Sequence, residues 1–465
     1  MDKHKYEYIY FLGIGGIGMS ALARYFLHEG YGVAGYDLTA TPLTRALERE
    51  GALVHYVDDP EMIPEHMRDA EKTLVVLTPA IPADHKEWAW LREAGFTIEK
   101  RSQMLGHLSQ GKVVMAVAGT HGKTTTSTLA SWLNYAAAGE GSAFLGGISR
   151  NFNSNLVLGE GNRLVVEADE YDRSFLRLYP DVAVITATDA DHLDIYGTAE
   201  AMVEAFETFA SQIKEGGVLI VKRGVDIKFD TTNRKIFRYS VDGGDNFCAE
   251  NISLEEGGHY RYDIVLPDGR IEGCKLGILG KVHIENSIAA VAMLWAAAHI
   301  EGKSLDYDAV RRALAEFSGV KRRMEVYLNT PEQVYIDDYA HHPEELRATI
   351  SSLRGIFPGR SITAIFQPHL YTRTRDFAVE FAEVLSECDR VVMVPIYPAR
   401  ELPIEGVTSE LIGKDIRTEW ELVERDDLAR YLEGIDTDVV VTFGAGNIDV
   451  VCNDIYEVLK RKTKE

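Results

Sequence analysis

Two glycine-rich stretches hold the residues whose chemistry reads most directly from the chain. In the first, the apolar run Tyr8–Leu12 meets Gly13-Ile-Gly15-Gly16-Ile-Gly18. The glycines at 13, 15 and 18 fit the pattern G-x-G-x-x-G. Met19, Leu22, Ala23, Phe26 and Leu27 follow at helical spacing. A strand, a tight turn and a helix in this order aim backbone N–H groups and a helix N-terminus at a pyrophosphate. Asp37 ends the stretch "YGVAGYD", about where a ribose-binding acid belongs. Taken alone, the loop fits a nicotinamide dinucleotide as well as any other pyrophosphate. The second stretch is "VAGTHGKTTTSTLASWL", residues 117–133. Lys123 offers a mobile positive charge to a nucleoside triphosphate, and the Thr124 hydroxyl can ligate magnesium. Val117 stands where the usual P-loop has its first glycine, so Gly119 must supply the flexibility.

A P-loop needs acids for its metal. "LVVEADEYDRSF" (164–175) puts Glu167 at a strand end, with Asp169, Glu170 and Asp172 behind it. "VITATDADHLD" (184–194) puts His192 after another strand. Magnesium prefers oxygen, so Glu167 is the stronger metal candidate of the two. Further along, "GVKRRME", "IDDYAHHP" and "QPHLYTRT" cluster cations, acids and histidines beside strand-like runs.

The elements that must position these residues are α/β in pattern. Residues 1–107 alternate strand-like and helical stretches. A second start follows "SQGK" at 109–112, with strands "VVMAVA", "LVVE" and "VAVIT". Short strands with Gly and Asp turns fill about 225–280, and a long Ala-rich helix begins near His283. A third unit opens near "SGVKRRMEVY" (318–327) and contains "VYIDDYA", "SITAIFQ", "RVVMVPI" and "DVVVTFGAG". The expected boundaries are 1–107, 108–318 and 319–465, each unit carrying its chemistry at strand C-terminal ends. A chain of 465 residues suits roughly three domains. A net charge of −23 argues against nucleic acid or an anionic membrane as partner. No apolar run reaches the roughly 18 residues of a membrane span. Lys3, Lys5 and the apolar run imitate a signal peptide, but the glycines fit the strand–turn–helix reading instead. Four scattered cysteines form no Cys-x-x-Cys, and a reduced cytoplasm is the simplest setting.

The order of these motifs resembles the Mur ligase family, the ATP-dependent amino-acid ligases of peptidoglycan precursor synthesis. The family's loop reads G-T-x-G-K-T, here Gly119-Thr120-His121-Gly122-Lys123-Thr124. "GIGGIGMSALA", "EADE.D.SF", "DDYAHHP" and "FQPH.YTRT" extend the resemblance from about residue 8 to 449. It implies a three-domain α/β architecture. A Rossmann-like N-terminal domain would hold a UDP-sugar and a P-loop central domain ATP. A Rossmann-like C-terminal domain would close on ATP and the amino acid. The implied reaction uses ATP and Mg2+ to join UDP-N-acetylmuramate to L-alanine through an acyl phosphate, in a monomer or homodimer. Carried over, Gly15, Gly16, Ile17 and Gly18 would face the UDP-sugar diphosphate, with Asp37 and Thr78 near its nucleoside. Gly119 to Thr124, with Thr125, would cradle the ATP phosphates. Thr124 and Glu167 would hold one magnesium and His192 would help with a second. Asn286 would contact adenine, Arg323 the γ-phosphate, and Asp338 the phosphates and metal water. His369 and Arg373 would border the amino-acid site.

Three departures qualify the carry-over. Before the Ala-rich helix only Asn286 matches the family's G-x-H-N-x-x-N cleanly, which leaves His283 without a clear match. Thr186-Ala187 replaces Thr-Asn. Leu370 replaces an arginine after "QPH", so Arg373, with Arg375 in reserve, is expected to carry the amino-acid carboxylate. Arg322 is expected to be a solvated neighbour of Arg323, and one of His341 and His342 to cap or pack. Arg400 is given no role. Three other readings stay open: a same-family ligase that adds a preformed peptide, an NAD-dependent oxidoreductase, and an ATP-gated binding protein.

Overall fold

The computed structural model describes residues 5–189, 193–255, 257–399 and 401–463, with the side chains of Asp172, Leu193 and Asp194 excepted. The described chain divides into two compact units. One comprises 1–250, 263–274 and 285–317; the other comprises 251–262, 275–284 and 318–465.

The first unit opens with a parallel sheet of β1 (Tyr8–Leu12), β2 (Gly32–Tyr36), β3 (Leu53–His55), β4 (Thr73–Leu77) and β5 (Thr97–Lys100). Its order is β3-β2-β1-β4-β5. Alternation explains why it is covered on both sides. Ile9, Phe11, Leu74 and Val76 face one apolar cluster; Tyr10, Leu12, Val75 and Leu77 face another. Helix α1 (Ile17–His28) follows the first glycine loop, and α2 (Arg101–Leu108) follows β5.

The next sheet is built round β6 (Val113–Ala118), β7 (Ser142–Ser149), β8 (Ser154–Val157), β9 (Arg163–Glu167), β10 (Val182–Ile185), β11 (Val218–Lys222) and β12 (Lys235–Ser240). Three further strands, β13 (Phe247–Leu254), β14 (Tyr260–Leu266) and β15 (Gly269–Lys275), extend it to ten; at seven or eight residues they are longer than the short strands expected there. Helix α3 (Lys123–Ala138) leaves the C-terminal end of β6, and the Ala-rich helix is α4 (Val282–Ile300).

No break in packing separates these two sheets. Phe11 of the first, with Leu22 and Phe26 of α1, shares one apolar cluster with Ala116, Phe144 and Val166 of the second. The Tyr25 and Phe144 rings lie 5.8 Å apart. Buried Asn155 on β8 donates to the Ser20 hydroxyl of α1 at 2.9 Å.

The second unit holds β16 (Glu325–Asn329), β17 (Val334–Asp338), β18 (Ile362–Phe366), β19 (Arg390–Met393), β20 (Glu419–Leu422) and β21 (Val439–Phe443). They run in the order β16-β17-β21-β18-β19-β20. Only β16 is antiparallel to its neighbour within this sheet. Ile336, Ala364 and Val441 face one core and Tyr335, Ile365 and Val440 the other. Helices α5 (Pro343–Ile356) and α6 (Tyr371–Asp376) begin just beyond β17 and β18. The four cysteines are buried and form no disulfide. Among the described residues no helix is long and apolar enough to cross a membrane.

Candidate active site

Parallel pairing of β6 with β9 sets Val117 opposite Glu167. The second glycine loop and an acid therefore leave adjacent strands at their C-terminal ends, where α/β sheets collect ligands. Two loop glycines sit at positive φ, Gly119 at +129° and Gly122 at +78°. A Cβ on Gly119 would lie 2.2 Å from Thr186 Oγ1, so the turn has neither the dihedral nor the room for a side chain. The Thr120 N–H donates to the Ala187 carbonyl at 3.1 Å, and the Thr186 hydroxyl donates to the His121 carbonyl. Thr186-Ala187 thus holds the loop through a hydroxyl and a backbone carbonyl. A Cβ on Gly122 would lie 3.0 Å from Asn286 Oδ1, which accepts from Thr126 Oγ1 at 3.3 Å.

Lys123 opens α3. Its ammonium donates to the Gly119 carbonyl at 2.7 Å and to Glu170 Oε1 at 2.8 Å. Glu170 is buried, and burial pushes its carboxyl up against the pull of Lys123. Thr124 Oγ1 donates to Glu167 Oε1 at 3.1 Å, while Ser127 Oγ and the Gly146 N–H reach Oε2. A Cβ on Gly146 would lie 2.3 Å from that carboxylate, so β7 is notched to admit it.

The first glycine loop has its own arrangement. The Asp37 carboxylate accepts the Gly15 N–H at 2.7 Å. The first intrahelical bond of α1 runs from Ser20 N–H to the Gly16 carbonyl, so the Ile17 and Gly18 amides belong to the turn whose donors point out of the helix. Thr78, just past β4, packs so near Gly13 that a Cβ there would meet its methyl at 2.5 Å. Gly18 and Glu167 line one cavity of about 90 Å³, together with Arg101, Gly146 and Asp169. The first loop and the acid that meets Thr124 of the second therefore line a common space.

The second unit gathers a different set. Both Asp338 oxygens accept backbone N–H groups, from Met324 and Ala340, each at 2.8 Å. Burial pushes this carboxyl up to about 6, against the pull of Arg323. The Arg323 guanidinium lies 5.3 Å over the Tyr339 ring. Its neighbour Arg322 is not the solvated residue expected from the sequence. It pairs with fully buried Asp337 at 3.2 Å and donates to the carbonyls of Gly444 and Gly446. A buried carboxylate needs a partner, and Arg322 turns inward to supply it. His342 caps α5 by accepting from the Glu344 N–H, and His341 lies 3.3 Å from Glu345. Arg373 Nη1 on α6 comes 3.4 Å from Nδ1 of His369, which lies two residues before that helix, and His369 stacks on Tyr397. Arg375 instead pairs with Asp376 at 2.7 Å.

The family comparison decides what kind of protein this is. Three family descriptions match in succession: "Mur ligase family, catalytic domain" over 8–113, "Mur ligase middle domain" over 117–294, and "Mur ligase, glutamate ligase domain" over 322–446. The chain is 46% identical, over 99% of its length and 100% of the relative's, to a UDP-N-acetylmuramate–L-alanine ligase of Phocaeicola vulgatus. The chain belongs to the Mur ligase family. Its fold is also that of the UDP-N-acetylmuramate-alanine ligase of Thermotoga maritima, with a TM-score of 0.80 and 25% identity over 98% of this chain and 100% of that one. A murein peptide ligase of Psychrobacter arcticus shares the fold at a TM-score of 0.68 and 22% identity, covering 97% and 98% of the two chains.

In this Mur ligase the loop residues, Thr124 and Glu167 converge, as do His369 and Arg373; His192 and Arg400 lie outside the described residues. The donors round Glu167 are oxygens, a hydroxyl and a carboxylate, which suits Mg2+ held by few protein ligands and several waters. Sequence reasoning did not single out Glu170 as the partner of Lys123, Gly146 as the notch for Glu167, Arg101 beside Gly18, or the inward turn of Arg322. "EADE" marks Glu170 as an acid, but its pairing with Lys123, like the other three, depends on strand order.

Proposed function

We propose that this Mur ligase joins the carboxylate of UDP-N-acetylmuramate to the amine of L-alanine and converts ATP to ADP and phosphate. The observation that carries the reading is the pair of phosphate-type loops in one unit, one with the lysine and acids of an ATP site and one without, the latter sharing a cavity with Glu167, the acid that Thr124 of the former meets. A second, separate loop for ATP leaves the first for the sugar nucleotide, which disfavours an NAD enzyme. Near-half identity to an alanine-adding relative along the whole chain favours alanine over a preformed peptide.

A carboxylate is a poor electrophile. Transfer of the γ-phosphoryl group onto it gives an acyl phosphate and releases ADP. The alanine amine then attacks the carbonyl carbon, the bond to the phosphate oxygen breaks, and an amide and inorganic phosphate leave. Most of the catalysis is positioning and charge neutralisation. On this reading residues 1–107 bind the UDP-sugar through Ile17 and Gly18. Residues 108–318 bind ATP, with Lys123 on its phosphates and Asn286 beside the loop. Residues 319–465 supply Arg323 as a further phosphate cation and His369 and Arg373 for the amino acid. Thr124 and Glu167 would hold Mg2+, which neutralises phosphate charge when bound. All the substrates are small molecules, and ATP supply puts the reaction in the cytoplasm.

The test is phosphate release with UDP-N-acetylmuramate and ATP, offering each amino acid, a tripeptide and no acceptor in turn. Release that needs L-alanine supports the reading. Release with the tripeptide alone replaces it with the peptide-adding reaction, and no acceptor-dependent release overturns it.

A further inference from the structure

We propose that Arg101 is a substrate-binding residue whose guanidinium grips the diphosphate of the sugar nucleotide at the amino end of α1. The inference rests on the reading of the first glycine loop as the UDP-sugar site and adds a side chain to it.

A Cβ on Gly18 would lie 2.1 Å from Arg101 Nη1 and 3.0 Å from its Cζ. The guanidinium therefore lies against the first turn of α1, where Ile17 and Gly18 carry outward amides. That position is electrostatically awkward for a protein alone. The N-terminus of a helix carries partial positive charge and favours anions, so a fixed cation there is a like-charge contact. Such a contact becomes favourable when a doubly charged anion sits between the two. Among the described residues its counter-charge is Asp169, whose Oδ2 is 3.4 Å from Nη2, longer than the roughly 2.7–2.9 Å of a well-made charge-assisted pair. The side chain is 27% exposed, so a ligand can reach it.

The backbone supports the same assignment. Arg101 is the first residue of α2, directly after β5. It emerges at the C-terminal end of the sheet that carries the glycine loop, where ligands of such sheets bind. Leu105, one turn on, lines the same cavity, so this face of α2 is turned toward the loop. Glu167 and Gly146 line the cavity's other side. A substrate gripped at its diphosphate by Arg101 and α1 would have its far end free to run toward the ATP loop. Arginine suits the task because its planar fork can meet two phosphate oxygens at once.

The experiment is calorimetric titration of the full chain, wild type, Arg101→Ala and Arg101→Lys, with UDP, UDP-N-acetylmuramate and ATP, alongside thermal melting of each variant. UDP carries the diphosphate without the sugar carboxylate. Arg101→Ala should weaken UDP and UDP-N-acetylmuramate alike, by about ten- to a hundredfold, as for one charge-assisted hydrogen bond. ATP affinity should stay unchanged. Arg101→Lys keeps a charge for Asp169, should melt as wild type does, and should recover only part of the UDP affinity. Unchanged UDP affinity in both variants, with wild type binding normally, overturns the inference alone. Loss for UDP-N-acetylmuramate without loss for UDP assigns the cation to the sugar's carboxylate and overturns it too. Parallel losses for UDP and ATP with a lowered melting point in both variants mean a structural role and also overturn it. A wild type that binds neither uridine ligand overturns the reading of the loop itself, and the inference with it.

Discussion

At the scale of single residues, charge in this protein is placed in pairs, and the pairs alter what a substitution does. Lys123 reads in the sequence as an accessible lysine at a helix start, removable without harm to the fold. Its side chain is 14% exposed and bonded to a buried glutamate. Lys123→Ala should abolish ligation and also cost about 3–5 kcal/mol, because one partner of a buried pair is removed. Lys123→Ala with Glu170→Gln should recover most of that stability with ligation still absent. Chemical denaturation and phosphate release together separate the two effects, and equal melting of the single and double variants would contradict the pairing. Arg373 is the second case. It lies beside His369, whereas Arg375 is committed to Asp376 on the outside of α6. Arg373→Lys should raise the KM for alanine several-fold and leave that for ATP within twofold, because lysine keeps the charge and loses the fork. An alanine KM unmoved by Arg373→Lys and Arg373→Ala would take the carboxylate contact away from this residue.

At the scale of elements, the loops were legible and their partners were not. Strand, glycine turn and helix are local signals, so the starts of α1 and α3 follow from the spacing of glycines and apolar residues. The Ala-rich helix begins at Val282, one residue from where its pattern begins. The pairing of Lys123 with Glu170, of Arg322 with Asp337 and of Arg101 with Gly18 depends on which strands are neighbours. Residue spacing carries no record of strand order. Arg322 also has a positive φ of +61°, as does Met324 at +47°, and no side-chain pattern announces such a backbone. The P-loop turn makes a prediction of its own. Gly119→Ala should lower stability by about 1–3 kcal/mol through the strained dihedral, and should weaken ATP binding at least tenfold because the turn must shift. The two are checked by thermal melting and by nucleotide titration. Normal ATP affinity in Gly119→Ala would mean that the turn tolerates a side chain the geometry says it cannot.

Across the whole molecule, buried titratable groups pull its pH response in opposite directions. Burial brings His283 down to about 4 and pushes Glu87, which accepts from Tyr10, up to about 7. The stability His283 contributes as a neutral ring is present above pH 6.5 and is lost as the pH falls toward 4, up to about 3 kcal/mol. Glu87 works the other way. Its neutral form is favoured below about 4.5, and that stability is lost as the pH rises toward 7. Between roughly 4.5 and 6.5 the two slopes oppose each other. Relative to the wild type, His283→Gln should gain stability on acidification across that window, and Glu87→Gln should lose it. Identical pH slopes for wild type and both variants would refute this account. The packing of the first two sheets into one compact unit has a cause that residue spacing does not carry. Both faces of the first sheet are apolar, and nothing in residues 1–107 says that α1 packs on β7 and β8.

That shared packing limits how such a chain can be recombined. The seam between the first and second sheets is a core, with Tyr25 on Phe144 and Asn155 on Ser20. A hybrid that took residues 1–107 from a distant relative would carry its own α1 surface onto an unmatched β7–β8. It would lose the buried hydrogen bonds of Asn155 and much of the aromatic fit, whatever the quality of its glycine loop. Exchange of sugar-nucleotide specificity between family members is therefore a problem of grafting side chains round Gly15 to Gly18, with the host's seam left intact. Whole-module swaps cut at residue 107 should yield protein that expresses poorly even when both parents fold well.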